Sequence, residues 1–290
     1  MYQRILFAVD GGAASRDAIP VVAAYARAWG AAVGVFHVRG IDRRGPDAEG
    51  EDLVESFVDA FSKAGVMAGG AVDLVRGENV ADAIARVATR DEADLVAVGS
   101  RGRSDLGAMF LGSVSHRVAL YLDLPVLVVR LAPGAEADVK RVLVAVDGSP
   151  ASDEAVASAT EVARATGAEV HVLHVQQLVA AEGATLVETD EEALAILRRA
   201  LAQLRAGGLS GRAEAVVSHG VAAAVVAEAE RLRADLVILA SRRPSDITGL
   251  LLGSVAHQVI HRLRSPVLLA ARASNGARAR AAASGLRVHP

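Results

Sequence analysis

The chain has 290 residues, of which 52% are hydrophobic and 22% charged, and its formal net charge is −3. This length suggests two domains, each able to bury its own core, and the composition is typical of a globular rather than a disordered chain. The small negative charge gives no electrostatic reason to expect nucleic acid or an anionic membrane as a partner, and the absence of cysteine excludes disulfides, thiolate metal sites and cysteine nucleophiles.

The N-terminal residues enter a strand-like run at once. They lack the basic segment and the apolar stretch of about 7–15 residues that make a signal peptide. A run of about 18 apolar residues, which a membrane span requires, is also missing from the sequence. We therefore expect a cytoplasmic protein that has no membrane and no nucleic-acid partner.

Short apolar runs alternate with segments of helical periodicity through the first half of the chain. Residues 4–9 are almost wholly apolar, which is typical of a strand buried on both faces of a parallel sheet. Residues 14–29 carry apolar side chains at helical spacing and end at Gly30, as a helix C-cap would. The same two patterns then predict a strand at 32–38, a polar loop at 40–50, a helix at 52–64, a strand at 71–75, a helix at 79–89, a strand at 94–98, a helix at 114–120 and a strand at 124–129.

This alternation of five strands with four helices predicts the α/β fold class. Strands that alternate with helices in this way favour a doubly wound, mostly parallel sheet, and we expect the strand order 3-2-1-4-5. Residues 131–140 are interpreted as a linker, after which the pattern starts again.

The second half of the chain repeats the first. Residues 4–11 align with residues 141–148 at an offset of 137, since Asp10 matches Asp147. Asp94 matches Asp235 at an offset of 141, so the second copy has gained four residues, which we place at 178–212. The predicted domains are residues 1–131 and 140–271, followed by a flexible tail at 272–290. The apolar fifth strands of the two copies are candidate sheet edges, and an exposed apolar edge is liable to pair.

A glycine-rich loop follows the fourth predicted strand. It has the spacing Gly99-x2-Gly102-x9-Gly112-Ser113 and runs into the fourth helix. Strand, glycine loop and helix N-terminus in this order allow backbone N–H groups to approach and hold a phosphate. With the expected strand order, Asp10 at the end of the first strand meets this loop where the winding of the sheet reverses, which is where doubly wound sheets bind ligands.

Each residue at this point has two interpretations. Asp10 is placed to accept a hydrogen bond from a ribose hydroxyl or to cap the first helix. Ser113 and Ser115 could donate to a phosphate, or Ser113 could cap the fourth helix. Val38, at the end of the second strand, could make apolar contact with a base.

The loop together with Val9-Asp10-Gly11 resembles the ATP-binding version of the universal stress protein family, over residues 1–270. The resemblance implies the adenine nucleotide alpha hydrolase-like fold, ATP as ligand, and pairing of the two fifth strands so that the domains pack as a pseudo-dimer. We also expect Mg²⁺ as the companion ion of ATP, and a homodimer of chains. It implies adenine near Val38, ribose near Asp10 and phosphates on the glycine loop. The first-domain site residues that it implies are Asp10, Val38, Gly99, Ser100, Gly102, Gly112, Ser113, Val114 and Ser115.

The second copy departs from this motif. Ala240 replaces Gly99 and Arg243 replaces Gly102, and Pro244 follows. A left-handed turn is costly for arginine, although its side chain could also donate to a phosphate. The residues that keep the rest of the site are Asp147, Val175, Gly253 and Ser254. The first domain is therefore the expected principal site.

Other motifs of nucleotide and hydrolase chemistry are missing. The sequence contains neither a Walker lysine, nor G-x-G-x-x-G after the first strand, nor G-x-S-x-G, and we assign no catalytic residue and no metal ligand. His37 and His174 are interpreted as packed residues, and His116 and His257 as hydrogen-bonding ones. We predict an ATP-binding, nucleotide-responsive regulatory protein that is read by an unknown protein partner and hydrolyses ATP slowly at most. The alternative is a nucleotide-independent interaction scaffold of the same fold.

Overall fold

The structure is a computed structural model. It describes residues 2–39, 48–74, 79–100, 117–118, 122, 124–130, 137–180, 184–241 and 254–271. The predicted tail and most of the predicted fourth helix of the first copy lie outside the described residues.

The first copy contains three described helices and five described strands. In chain order they are β1 Arg4–Val9, α1 Ala13–Trp29, β2 Ala32–Arg39, α2 Ala48–Lys63, β3 Ala68–Leu74, α3 Val80–Arg90, β4 Leu95–Gly99 and β5 Val126–Val129.

The second copy repeats these elements and adds a short strand. Its elements are β6 Arg141–Val146, α4 Pro150–Thr166, β7 Glu169–Ala180, β8 Ala184–Leu186, α5 Asp190–Ala206, β9 Gly211–Ser218, α6 Val221–Leu232, β10 Leu236–Ala240, α7 Ser254–Arg262 and β11 Val267–Ala270. None of the described helices is long and apolar enough to cross a membrane.

Each copy forms a doubly wound parallel sheet with the predicted strand order. In the first copy the order is β3-β2-β1-β4-β5, and in the second it is β9-β7-β6-β10-β11. All neighbours within these two runs are parallel, and β8 adds to β7 in the antiparallel sense. The α/β fold class predicted from the sequence is therefore confirmed.

The two fifth strands join the copies into one sheet. β5 and β11 pair antiparallel, with Leu127 opposite Leu268. All four residues of each strand are buried. The predicted pseudo-dimer is confirmed, because the edge that each copy would otherwise expose is covered by the other.

Helices cover both faces of this joined sheet. The buried core on one face includes apolar side chains of α1, α2, α4 and α5 together with inward-facing strand residues. The core on the other face includes side chains of α3, α6 and α7. Since both faces are covered, the strands are nearly continuous apolar runs, as the sequence indicated.

The same carboxylate contact ties the strands together in both copies. Asp94 Oδ2 accepts hydrogen bonds from the backbone N–H groups of Gln3 and Arg4, at 2.9 and 3.0 Å. Asp235 Oδ2 accepts from Lys140 and Arg141 at 2.9 and 2.8 Å. These aspartates match at the offset of 141, so the repeat found in the sequence extends to individual hydrogen bonds.

Two element bounds differ from the sequence expectation by three residues or more. The second helix begins at Ala48 inside the predicted polar loop, and β3 begins at Ala68 rather than at residue 71. Gly70 is the reason for the second difference: a Cβ there would lie 2.1 Å from Val54 Cγ1. The low strand propensity of glycine hides the strand in the sequence, whereas the close approach of α2 requires the missing side chain.

The second copy has six more residues than the first between the paired positions of its second and third parallel strands, because Val33 pairs with Ala68 whereas Val170 pairs with Gly211. It has two fewer between β9 and α6, which leaves the net gain of four. Part of the gain lies in β7. This strand has 12 residues, whereas β2 in the first copy has eight. Its extension forms a hairpin with β8, in which Leu178 lies opposite Leu186. The hairpin falls within the segment where the sequence placed the insertion.

Candidate functional site

The carboxyl ends of the first and fourth strands lie side by side in each copy. β1 pairs with β4, and β6 pairs with β10, so that Asp10 follows one strand and Gly99 ends its neighbour. The strands beyond each pair run outward in opposite directions, which makes this the switch point of the sheet. Asp147 and Ala240 occupy the same places in the second copy.

Asp10 holds the turn that leads into α1. Its Oδ1 accepts from the backbone N–H of Gly12 at 2.9 Å and from Ser15 Oγ at 2.7 Å. Gly11 between them has φ +73°, a conformation that favours glycine. The residue itself is exposed. Its carboxylate therefore orders the turn on one side and faces solvent on the other.

Gly99 is required by packing. A Cβ at this position would lie 2.5 Å from the carbonyl oxygen of Ala14 and 2.8 Å from the backbone nitrogen of Ser15. The end of β4 thus lies directly against the start of α1. Alanine stands at the matching position 240, which ends β10 in the second copy.

The other predicted residues of the first copy are described only in part. Val38 is half-buried and packs against the core formed with Phe36 and Val98. Ser100 is buried, and its backbone N–H donates to Val129 on the neighbouring strand at 2.9 Å. The remaining predicted residues lie outside the described residues, namely Gly102, Gly112, Ser113, Val114 and Ser115.

The second copy has a cleft at its switch point. The cleft has a volume of about 550 Å³ and lies at the carboxyl ends of β6, β7 and β10, between the starts of α6 and α7. Its apolar wall includes Leu173, Val175 and Leu239. The polar side chains that line it are Asp147, Ser152, His174, Gln177, Glu188, His219 and Gln258.

Two residues predicted for the second copy lie on the wall of this cleft. Asp147 accepts at Oδ1 from the backbone N–H of Ser149 at 3.0 Å and from its hydroxyl at 2.5 Å. Val175 lies in the cleft wall near the end of the core part of β7. Ser254 begins α7, while Gly253 lies outside the described residues. The structure therefore brings Asp147, Val175 and the start of α7 to one cleft.

Sequence reasoning missed a paired histidine and glutamate in the same wall. His174 is 4% exposed, its Nδ1 lies 2.8 Å from the carbonyl oxygen of Val146, and its Nε2 lies 2.5 Å from Glu188 Oε1. A carbonyl can only accept, so Nδ1 carries a proton, and the short contact to Glu188 requires a second proton. The pair is thus an imidazolium with a carboxylate, or an imidazole with a carboxylic acid.

His174 could be recognised in the sequence through its match to His37, whereas nothing in the sequence marked its partner Glu188. His37 is the matching residue of the first copy, and its Nδ1 lies 2.9 Å from the carbonyl oxygen of Val9, so this ring position links the first two strands in both copies. Glu188 follows the inserted hairpin, where no periodicity marks it.

The start of α6 differs from its counterpart in the first copy. Asn79 caps α3, because its side chain accepts from the backbone N–H groups of Ala81 and Asp82. At the matching place Gly220 begins α6 without a side-chain cap, and Gly220 and Ala222 line the cleft. The two copies therefore differ on the adenine side of the predicted site as well as in the glycine loop.

These features define a class of protein: a tandem pair of doubly wound α/β domains, with a ligand-sized cleft at a switch point. The profile of the Universal stress protein family matches residues 1–130 and 138–271. The chain belongs to the universal stress protein family.

Related proteins carry the same family name. A universal stress protein from Mycolicibacterium smegmatis is 33% identical over 199 residues, which is 67% of this chain and 67% of that protein. Universal stress protein Rv2005c from Mycobacterium tuberculosis is 32% identical over 188 residues, 62% of each chain. The matched segments thus span about two thirds of each relative.

The fold is also found in solved structures. A universal stress protein from Archaeoglobus fulgidus superposes with a TM-score of 0.75 over 93% of this chain and 98% of that chain, at 23% identity. One from Pseudomonas aeruginosa superposes with a TM-score of 0.68 over 93% of each chain, at 14% identity. At such identities the likeness concerns the fold alone.

Proposed function

We propose that this chain is an ATP-binding regulatory protein that changes the surface offered to a protein partner when nucleotide binds. The observation that carries the proposal is the cleft at the switch point of the second copy, which has Asp147 and Val175 on its wall. Its volume of about 550 Å³ falls within the range of about 300–1,000 Å³ usual for small-molecule sites. In the first copy, support comes from the intact glycine motif of the sequence.

The chemistry of the cleft suits the parts of a nucleotide. Apolar side chains such as Val175 would contact the base, and the carboxylate of Asp147 would accept from ribose hydroxyls. The start of α7 would bind phosphate, because free N–H groups and the helix dipole favour anions there. In the first copy Val38, Asp10 and the loop from Gly99 to Ser113 would take the same roles, with Mg²⁺ accompanying the phosphates.

Binding rather than turnover is the proposed activity. The described lining of the cleft contains no lysine or arginine, and both ring nitrogens of His174 already contact oxygen atoms. This histidine could accept a proton from water only after its contact with Glu188 is broken. Hydrolysis at this site would therefore be slow.

Calorimetric titration of the full chain with Mg²⁺-ATP tests the proposal. Gly102→Arg and Asp10→Ala should weaken the principal site in the first copy by roughly five- to thirtyfold, since a phosphate-holding turn or a charge-assisted hydrogen bond is lost. Asp147→Ala should affect only a second, separable binding event. Asp59→Ala on the exposed side of α2 is the matched control and should change nothing. Unchanged affinity in all three site variants would overturn the assignment.

One set of observations favours the alternative of a nucleotide-independent scaffold. Asp10 and Asp147 both use a carboxylate oxygen to hold a turn, and Gly99 has a packing role. These residues would be needed for folding even without a ligand. A purified protein that carries no nucleotide, and whose melting temperature does not respond to millimolar Mg²⁺-ATP, would favour the scaffold.

The proposed homodimer needs a surface other than the fifth strands. β5 and β11 already pair with each other within the chain. Light scattering of the full chain measures the assembly directly, and a monomer mass would overturn the proposed homodimer.

A further inference from the structure

Two histidines of α7 face each other one helical turn apart. His257 and His261 stand at positions i and i+4 of the helix, and their Nε2 atoms are 3.0 Å apart. The ring centroids are 4.3 Å apart, and the ring planes are tilted by 59°. Both residues are half-buried. Two imidazoles at this spacing on one helix face are a pair of metal ligands in other proteins.

The separation of the two nitrogens is close to that of two ligands of one metal ion. Bonds of about 2.0–2.1 Å from a metal to each nitrogen, with the nitrogens 3.0 Å apart, give an N–metal–N angle of about 91–97°. A tetrahedral angle would require a separation of about 3.3–3.4 Å at the same bond lengths. Without metal this separation is set by the hydrogen bond between the rings, and it shows that the helix brings both nitrogens within reach of one ion, for which imidazole pairs suit Cu²⁺ and Ni²⁺.

We propose that His257 and His261 form a chelating site for a divalent transition-metal ion, Cu²⁺ or Ni²⁺, with water in the remaining positions. Among the described residues no group of three or more His, Cys, Asp and Glu side chains is arranged around a metal position, so two protein ligands are the basis of the site.

The helix holds the two ligands in place before a metal arrives. In the absence of metal, the 3.0 Å separation is that of an N–H···N hydrogen bond between the rings. Metal binding needs a lone pair on both Nε2 atoms, so the proton shared between the rings must leave this contact. Protonation of either ring to imidazolium would compete with the metal.

The surroundings of the site select against weakly bound hard cations. The guanidinium of Arg130 donates to the backbone carbonyl of His261, and Arg262 follows in the chain. These positive charges oppose any cation, while the C-terminal end of the helix favours one. Binding must then come from the metal–nitrogen bonds, which excludes Mg²⁺ and Ca²⁺ as ligands of the pair.

The site is separate from the proposed nucleotide cleft, and its histidine pair is not repeated in the sequence of the first copy. Val255, Ala256 and Gln258 line the cleft, whereas neither histidine does. At the offset of 141, His116 matches His257 but Leu120 matches His261. The first copy thus lacks the second ligand, and the expected stoichiometry is one ion per chain.

Titration of the full chain, prepared without an affinity tag, tests the proposal. The affinity order should be Cu²⁺ above Ni²⁺ and Ni²⁺ above Zn²⁺ at this angle, with no response to Mg²⁺. His261→Leu, which copies the residue of the first copy, and His257→Gln should each lower Cu²⁺ affinity by at least about tenfold, because one remaining ligand loses the advantage of chelation. His289→Ala, which changes a histidine near the C-terminal end of the sequence, is the control and should leave the affinity unchanged.

Two further measurements keep the test independent of the variants. Electron paramagnetic resonance of the Cu²⁺ complex should show coupling to two imidazole nitrogens, and Ni²⁺ should first broaden NMR signals of residues 254–262. Circular dichroism checks that both variants fold. Equal Cu²⁺ affinity in the parent and both variants, or a spectrum with one nitrogen, would overturn the proposal.

Discussion

Arg130 of the first copy donates from Nη1 to the backbone carbonyl of His261 in the second copy, at 2.7 Å. The same nitrogen lies 3.2 Å from the carbonyl oxygen of Ile260. These carbonyls belong to the last turn of α7, whose first residue is Ser254. Arg130 of the first copy therefore caps the C-terminal end of α7, a helix of the second copy. The N-terminal end of the same helix is the one that we propose to bind phosphate. Ala271 matches Arg130 at the offset of 141, and it has no side-chain donor with which to return this contact.

Removing this cap should loosen α7. Arg130→Ala should lower the free energy of unfolding by about 1–3 kcal/mol, because half-buried hydrogen bonds from a charged donor are lost. Hydrogen exchange should become faster at residues 254–262. Arg27→Ala is a matched control, since Arg27 donates from Nη1 to the carbonyl of Ala64 within the first copy. If both variants leave exchange in α7 unchanged, the cap does not hold this helix.

The contact between Gly99 and the start of α1 predicts that exchanging glycine and alanine at the matching positions 99 and 240 costs more stability in the first copy than in the second. Gly99→Ala places a Cβ 2.5 Å from the carbonyl oxygen of Ala14, so we expect a cost of about 1–3 kcal/mol from overpacking. Displacement of α1 would also disturb the bond from Ser15 to Asp10. Ala240→Gly should cost about 0.5–1 kcal/mol, as glycine does within a strand. Urea unfolding compares the two, and equal costs would contradict the packing argument.

Tyr2 predicts how stability responds to alkaline pH. Burial raises the pKa of its phenol from 10.0 to about 12, although its hydrogen bond to Ser158 of the second copy opposes the shift. The unfolded chain begins to lose this proton near pH 10, whereas the folded chain keeps it to about pH 12. Stability is therefore fully present below pH 10 and falls between these values, by about 2–3 kcal/mol for this group. Burial also raises the pKa of Tyr25, which adds to the fall.

Tyr2→Phe separates this contribution from the rest. The variant should lose about 0.5–1.5 kcal/mol at neutral pH with its hydrogen bond, and should then decline less steeply than the parent above pH 10. Urea midpoints measured from pH 7 to pH 11 give both slopes. Parallel slopes would show that Tyr2 titrates alike in the folded and unfolded chains.

The sequence determines the fold through features that are local. Continuous apolar runs identify β1, β4 and β10, and the repeated strand–helix order leads to the observed topology because crossovers share one hand. The apolar edges made the fifth strands candidates for pairing, and the family resemblance implied that they pair with each other. The start of β3 could not be predicted, since Gly70 is chosen by contact with Val54 on α2 and weakens the strand pattern.

Residues of the candidate site were predicted where they belong to a motif that both copies share. They were missed where their contacts join residues far apart in the sequence. Asp147 and Val175 were found through their match to the first copy, and both line the cleft. Glu188 lies 14 residues from His174 and has no pattern of its own, and Arg130 reaches a carbonyl 131 residues away. For Asp10 the sequence left ribose binding and helix capping open. The structure shows the carboxylate holding the turn before α1, and its role toward ribose stays a prediction.

Exchanging one residue between the two glycine loops should exchange their affinities for nucleotide. Gly102 and Arg243 are matching positions, and the loops around them lie outside the described residues. Arginine is expected to disfavour a left-handed turn by about 1–2 kcal/mol, which corresponds to roughly a five- to thirtyfold change in affinity. Gly102→Arg should weaken the first site by that factor. Arg243→Gly, measured by calorimetry in the Gly102→Arg background, should strengthen the second. If Arg243→Gly weakens binding instead, the arginine donates to phosphate, and the second copy uses a charged side chain where the first uses backbone N–H groups.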